Sequence, residues 1–270
     1  MNRLVPSNLC FVYDGSFEGF LNCIFEAFDR KISPEAIISL SRPSQLLLGE
    51  TMQIVTDLQR ARRVLQGIVR RSSHRNASLL QVAFLSELPG VEMLLLRYLQ
   101  KLFADKTGQY WQNMLDDDVF ELIQISRKVK KEVHRFHGFV RFQKTADGMY
   151  FAPIDPDHNI VKLLASHFRA RFATQQWIIY DTRRNYGIYF DLHLVKEVMF
   201  ANHRIDFNSG NVAQDVKDMD EDFYNTLWKE YYDAINIIER QNHRQMTRLM
   251  PKRYWKYLPE KGSKSPGNLP

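Results

Sequence analysis

Residues 127–184 constrain the fold more than any other part of this 270-residue chain. A helical period, two short apolar runs, a second helical period and two more apolar runs follow one another there, an α-β-β-α-β-β order. Val119, Leu122, Ser126, Val129, Val133 and Phe136 recur at 3–4 spacing and predict the first helix, with Lys128, Lys131 and Arg135 on its other face. Gly138 is expected to end it. Residues 139–142 and 149–154 predict a hairpin turned at Ala146-Asp147-Gly148. Pro153 and Pro156 are expected to stop its second strand, and Asp157 to cap the helix lined by Val161, Leu164, Phe168 and Phe172. Residues 177–180 and 186–190 predict a second hairpin with Arg183-Arg184-Asn185 at its tip.

The N-terminal part reads as strand, turn and helix. Residues 9–13 (LCFVY) are strand formers, Asp14-Gly15-Ser16 breaks the run, and Ser16 suits an N-cap for a helix carrying Phe17, Phe20, Leu21, Ile24, Phe25 and Phe28. The amides of that turn could hold a phosphate at the helix N-terminus. An ordinary turn and cap is the preferred reading. Residues 37–40 and 51–55 predict two further strands around Pro43 and Gly49, and residues 57–71, 77–86 and 91–103 predict three helices. Asp116-Asp117-Asp118 suits a helix start, because consecutive helical residues point about 100° apart and cannot converge on one metal ion.

The expected class is therefore α+β: an N-terminal strand-helix region followed by helices (1–112), a central α-β-β-α-β-β unit with antiparallel hairpins (113–200), an acidic connector (201–222), a helical basic-aromatic C-terminal segment (223–262) and a disordered tail (263–270). Phe223, Leu227, Trp228, Tyr231, Ala234, Ile235 and Ile238 give that last segment an aromatic helical face.

Charge is concentrated. Residues 127–184 hold twelve Lys/Arg against five Asp/Glu, a net of +7, and residues 228–262 hold eight against four, a net of +4. The whole chain carries +6, so the remainder carries −5. Anionic partners are favoured. Two cysteines, Cys10 and Cys23, exclude a four-cysteine zinc site and a three-cysteine iron–sulfur ligand set within the chain. They favour a reducing, cytoplasmic compartment. No run has the roughly 18 apolar residues that span a bilayer, and the N-terminus lacks signal-peptide character. No Walker loop, dinucleotide fingerprint or nucleophile elbow is present, and no cofactor is expected.

The candidate nucleic-acid contacts are Lys128, Lys131, Arg135, His137, His167, Arg169, Arg171, Arg183 and Arg184, together with Lys252, Arg253, Tyr254, Trp255 and Lys256 near the end. Arginine and lysine neutralise phosphates, and aromatic rings stack on bases. The C-terminal group could equally clamp back onto the body of the protein. His134, His137, His158 and His167 would suit phosphate contact or structural roles better than zinc. His137, His167 and Asp181 are the available acid–base candidates, with Asp181 and His167 the best pair.

The motifs FVYDGSFEGFL, HRFHGFVRF, HFRARF, WIIYDTRR and MPKRYWKYLPE together resemble the bacterial "DNA metabolism protein" family, over nearly the whole chain. The resemblance implies a companion of a radical-SAM protein similar to DNA photoproduct-repair enzymes. It also implies kinship with a region fused to uracil-DNA glycosylase domains in some relatives. It supplies no catalytic residues. The expected function is a nucleic-acid-binding accessory protein in DNA repair or modification, with single-stranded or damaged DNA and a radical-SAM protein as partners. The alternatives are a glycosylase- or nuclease-like enzyme, and a protein-binding scaffold.

Overall fold

The computed structural model describes residues 4–41, 50–146, 148–199, 205–206, 211–212, 247–259 and 261. The expected turn residue Asp147, the loop residues Pro43 and Gly49, the aromatic helix over residues 223–238 and the tail lie outside them, as does the acidic connector except for Ile205–Asp206 and Asn211–Val212, which pair as two short antiparallel strands. The chain forms two compact units, Met1–Lys130 and Lys131–Pro270. The class is α+β, with helices and small sheets in both.

Unit 1 begins with β1 (Val5–Pro6), β2 (Leu9–Tyr13), α1 (Phe17–Arg30), β3 (Ile32–Ser33), β4 (Ala36–Ser39) and β5 (Glu50–Gln53). β2 lies between β4 and β5, parallel to both, and β1 pairs with β3. The Ser16 hydroxyl accepts from the Gly19 amide at 2.9 Å, and Asp14 accepts from the Ser16 amide and hydroxyl and from the Thr56 hydroxyl. The turn is thus a self-contained cap. Burial pushes the Asp14 carboxyl up, but these hydrogen bonds outweigh it and hold the group below its usual range.

α2 (Leu58–Arg71), α3 (His74–Phe84) and α4 (Val91–Ala104) follow, the first two capped by Asp57 and Ser73. Their apolar faces join α1 and β2 in one core that includes Phe11, Tyr13, Phe20, Ile24, Leu95 and Tyr98.

α5 runs over Asp117–Phe139. Asp116 caps it, its carboxylate accepting from the amides of Asp118 and Val119. The helix passes through Gly138 instead of ending there, because Phe139 still packs on Phe136 and Tyr254. The strand expected at residues 139–142 is absent for the same reason. Those residues finish the helix and its exit, and Phe142 packs against Phe168, Phe172 and Trp177.

Unit 2 is built on a five-stranded sheet. β6 (Gln143–Lys144), β7 (Tyr150–Ile154), β8 (Trp177–Asp181), β9 (Tyr186–Phe190) and β10 (Val195–Val198) lie in order, with α6 (Val161–Arg171) between β7 and β8. β7 and β8 are parallel and the other neighbours antiparallel. The second expected hairpin exists as β8–β9, the first is replaced by the short pairing of β6 with β7, and a β-α-β crossover joins the two. Pro153 sits inside β7 rather than stopping it. β6 pairs with Tyr150 and Phe151 alone, so Pro153 faces no ladder on that side and its missing N–H costs nothing. Asp157 does not cap α6, which starts after Ile160 without a side-chain cap. The Asp157 side chain is drawn to Arg253 instead.

β8 is buried along its whole length. The aromatic cluster of Phe142, Phe168, Phe172, Trp177 and Phe190 packs on one face of the sheet, and Phe151, Ile178 and Tyr180 pack on the other. Gly187, opposite Tyr180, is needed for this packing. A Cβ there would lie 2.5 Å from the Ile179 carbonyl oxygen and 2.9 Å from the Tyr180 ring. Gly187→Ala is expected to lower the unfolding free energy by about 1–3 kcal/mol in urea titration, the usual cost of overpacking.

Candidate nucleic-acid interface

Unit 2 gathers four carboxylates and four cations where β7 and β8 end. Asp181, the last residue of β8, is fully buried (0 % exposed). Its carboxylate accepts from the Arg183 amide at 2.9 Å, the Arg184 amide at 3.0 Å and the Arg184 guanidinium at 2.8 Å. Burial raises its pKa, and Arg184 and the two amides pull it back. Arg184 also donates to the carbonyls of Pro156 and Asp157. Its side chain is 12 % exposed, although it belongs to a hairpin tip. Arg183 pairs with Asp155 at 2.9 Å. Asp181 makes no hydrogen bond with His167, so this acid–base pair is not assembled. Asp181 is instead the anchor of its own turn.

The C-terminal segment closes over the same place. Residues Lys252–Tyr257 form a 3-10 turn. Tyr254 is buried (1 % exposed), and its hydroxyl donates to Glu132 of α5 at 2.5 Å. Arg253 pairs with Asp157 and donates to the Tyr254 hydroxyl at 2.8 Å. Lys256 pairs with Asp155 at 3.1 Å, and the hydroxyls of Tyr257 and Thr182 are 2.9 Å apart. Trp255 donates to the Met250 carbonyl. Of the two roles open to this segment, the geometry is that of a clamp. Arg253, Tyr254 and Lys256 are occupied by the body of unit 2, and so are Arg183 and Arg184.

Sequence reasoning missed Glu132, which is the centre of the clamp. It is 3 % exposed and accepts from the amides of Asp157 and His158, both at 2.9 Å, as well as from Tyr254. The signal was present: a carboxylate falls in phase with Val129 and Phe136 on the apolar stripe of α5.

The other cations remain uncompensated. Lys131 on α5, Arg169 and Arg171 in the last turn of α6, and Lys252 are exposed and meet no carboxylate among the described residues. Arg171 lies over the Phe172 ring and Lys252 over the Trp255 ring. Arg135 donates to the Arg248 carbonyl, which leaves its charge unneutralised. Lys128, in unit 1, is exposed and likewise meets no carboxylate among the described residues.

Two histidines meet beside α6. The rings of His137 and His167 stack with centroids 4.0 Å apart and planes within 9°. Each buries its Nε2 without a hydrogen-bond partner. His134 lies edge-on to His137 at 6.3 Å. Face-to-face stacking does not converge two nitrogens on one ion, and among the described residues no three His, Cys, Asp or Glu are placed to hold a metal. Burial, then the charges of His167 and His134, holds the His137 pKa below its ordinary value of 6.5. A depressed pKa means the unfolded chain takes up the proton first. The contribution of His137 to stability is therefore complete above about pH 6.5 and is lost as pH falls through its folded pKa. In melts from about pH 7 to about pH 5, the wild type is expected to lose more stability than His137→Phe, which keeps the stack without the titration.

In unit 1, the turn before α5 is also knotted. Asp105 accepts from the Thr107 hydroxyl and from the amides of Thr107, Gln109 and Tyr110, and these bonds lower its pKa to about 2. Asp116 accepts from the Tyr110 hydroxyl and pairs with Lys101, and Asp118 pairs with Arg97 and Lys101.

No described helix is long and apolar enough to cross a membrane. No curated protein and no solved structure matches this chain. A family model described as a domain of unknown function, DUF4130, matches residues 89–260, a span that holds the clamp, the histidine stack and the uncompensated cations, and the chain belongs to that family.

Proposed function

We propose that this protein binds nucleic acid, with single strands or unpaired nucleotides favoured, and serves as an accessory factor in DNA repair or modification. One observation carries the reading. Asp155, Asp157 and Asp181 at the strand ends of unit 2 each meet a cation and Glu132 is satisfied by two amides and a hydroxyl, yet Lys131, Arg169, Arg171 and Lys252 stay exposed and meet no carboxylate among the described residues. A protein gains no stability from leaving such charges unpaired, whereas a phosphate backbone compensates them and releases counterions. Aromatic rings beneath two of the cations suit stacking on unpaired bases. The DNA context, and a radical-SAM protein as the acting partner, come from the family resemblance of the sequence.

An enzyme reading has less support. Its candidates His137 and His167 turn their Nε2 atoms inward, and Asp181 is fully enclosed. The test is binding of a fluorescent single-stranded oligonucleotide. Arg169→Glu with Arg171→Glu is expected to weaken it, whereas Lys252→Gln has a smaller effect because one charge is lost instead of two reversed. Equal affinity of the double variant and the wild type would remove this face from the interface.

A further inference from the structure

Unit 1 contains a cavity of about 340 Å³ between α3, α4, α5 and the turn over residues 105–116. Its floor is apolar: Leu79, Val119 and Leu122, closed by the buried ring of Tyr98. Its side is the half-buried indole of Trp111. Its rim holds Arg75, Arg127 and Lys130, all exposed and without an ion pair among the described residues. No carboxylate is among the residues that line it.

We propose that this cavity binds one nucleoside monophosphate unit, the base against Trp111 and the phosphate on Arg75, Arg127 and Lys130. Size, polarity and charge agree on that ligand class. The volume lies at the small end of the roughly 300–1,000 Å³ range of ligand pockets, which suits one nucleotide and not a dinucleotide cofactor. An apolar floor beside an indole takes a planar ring, and three unmatched cations take a doubly charged phosphate.

The wall is built in advance. Trp111 Nε1 donates to the Gly108 carbonyl at 3.2 Å, and Asp105 and Asp116 hold the turn from both ends. Little ordering is left for a ligand to impose. The polar groups of the floor are already occupied: Asn76 accepts from the Tyr98 hydroxyl, and the Ser126 hydroxyl donates to the Leu79 carbonyl. Neither is free to read a base edge, which leaves the exposed Gln112 as the one uncharged polar side chain of the lining that could do so, and weak discrimination between bases is expected.

This site is separate from the cations of unit 2, and its test can fail independently. The full chain is titrated with dTMP, dAMP, inorganic phosphate, pentathymidylate and a short polyglutamate peptide, with tryptophan fluorescence and calorimetry as readouts. Both mononucleotides are expected to bind with similar affinity and to quench fluorescence. The quench is lost in Trp111→Phe, in which binding persists. Arg127→Glu with Lys130→Glu, both surface changes that leave the core alone, is expected to weaken binding at least about tenfold. Arg169→Glu with Arg171→Glu leaves mononucleotide binding unchanged. Pentathymidylate binding that shares the Trp111 quench assigns the site to a strand, and mononucleotide binding without it assigns the site to free nucleotides. The inference is overturned if neither mononucleotides nor pentathymidylate bind. It is likewise overturned if inorganic phosphate or polyglutamate binds as tightly as dTMP, or if the Arg127/Lys130 variant binds like wild type.

Discussion

Glu132→Ala is expected to lower the unfolding free energy by about 3–5 kcal/mol, read as a shift of the urea midpoint. The carboxylate is 3 % exposed and receives the amides of Asp157 and His158 and the hydroxyl of Tyr254. Alanine leaves three donors without their acceptor at once. Each unsatisfied buried donor costs about 1–3 kcal/mol, and water reaching the half-buried amides trims the total. It also loosens the clamp, because Tyr254 then keeps its ring contacts with Phe136 and Phe139 and its contact with the adjacent Arg253 but no hydrogen bond to α5. Tyr254→Phe removes one donor with its acceptor still doubly satisfied, so about 1 kcal/mol is expected there. A Glu132→Ala loss no larger than that of Tyr254→Phe would show that the two amides do not depend on this carboxylate.

The second large effect is at Asp181. Asp181→Ala takes from the Arg184 guanidinium, 12 % exposed, the fully buried carboxylate that it meets at 2.8 Å. Breaking a buried pair from one side costs about 3–5 kcal/mol, because the remaining charge has lost its solvent and its partner. Arg184→Met in the same background is expected to recover part of the loss, so the double variant is more stable than the sum of the single changes predicts. The same variants separate two roles. An anchor at position 181 changes stability with nucleic-acid affinity unchanged once the protein is folded. A catalytic acid would leave stability nearly intact and abolish a turnover. A melt of Asp181→Ala that overlays the wild type would contradict the anchor assignment.

How much of this was visible in the sequence depends on the distance over which each feature is decided. The strand–turn–helix opening, the Ser16 cap and the helices at 57–71, 77–86 and 91–103 rest on neighbouring residues, and the structure has them within a few positions. The run through Gly138 was not legible, since it depends on Phe139 reaching Tyr254 more than a hundred residues away. The parallel pairing of β7 and β8 is likewise set by the crossover, which periodicity within one strand does not record.

The same contrast holds for the candidate site. Lys131 is read from a helical face and Arg169 and Arg171 from a basic run among aromatics, and all three are exposed. Arg184 was expected to project from a turn, but it folds back onto a carboxylate three residues before it. Arg253, Tyr254 and Lys256 look like binding residues in isolation. Their partners, Asp157, Glu132 and Asp155, lie about a hundred positions earlier and belong to the same acid–base balance. Trp111 sits in a turn without any period, so nothing in the order of residues marks it as a cavity wall.

The central claim is that cations left unmatched by the fold meet a phosphate backbone, and the salt dependence of binding tests it most directly. The affinity of the full chain for a single-stranded oligonucleotide, measured from about 50 to about 200 mM salt, is expected to fall with a log–log slope of about −3, the value for roughly four neutralised phosphates. Arg169→Glu with Arg171→Glu is expected to flatten that slope by about 1.4 or more. Absence of binding at low salt, or a slope near zero that the double variant does not change, would contradict the claim.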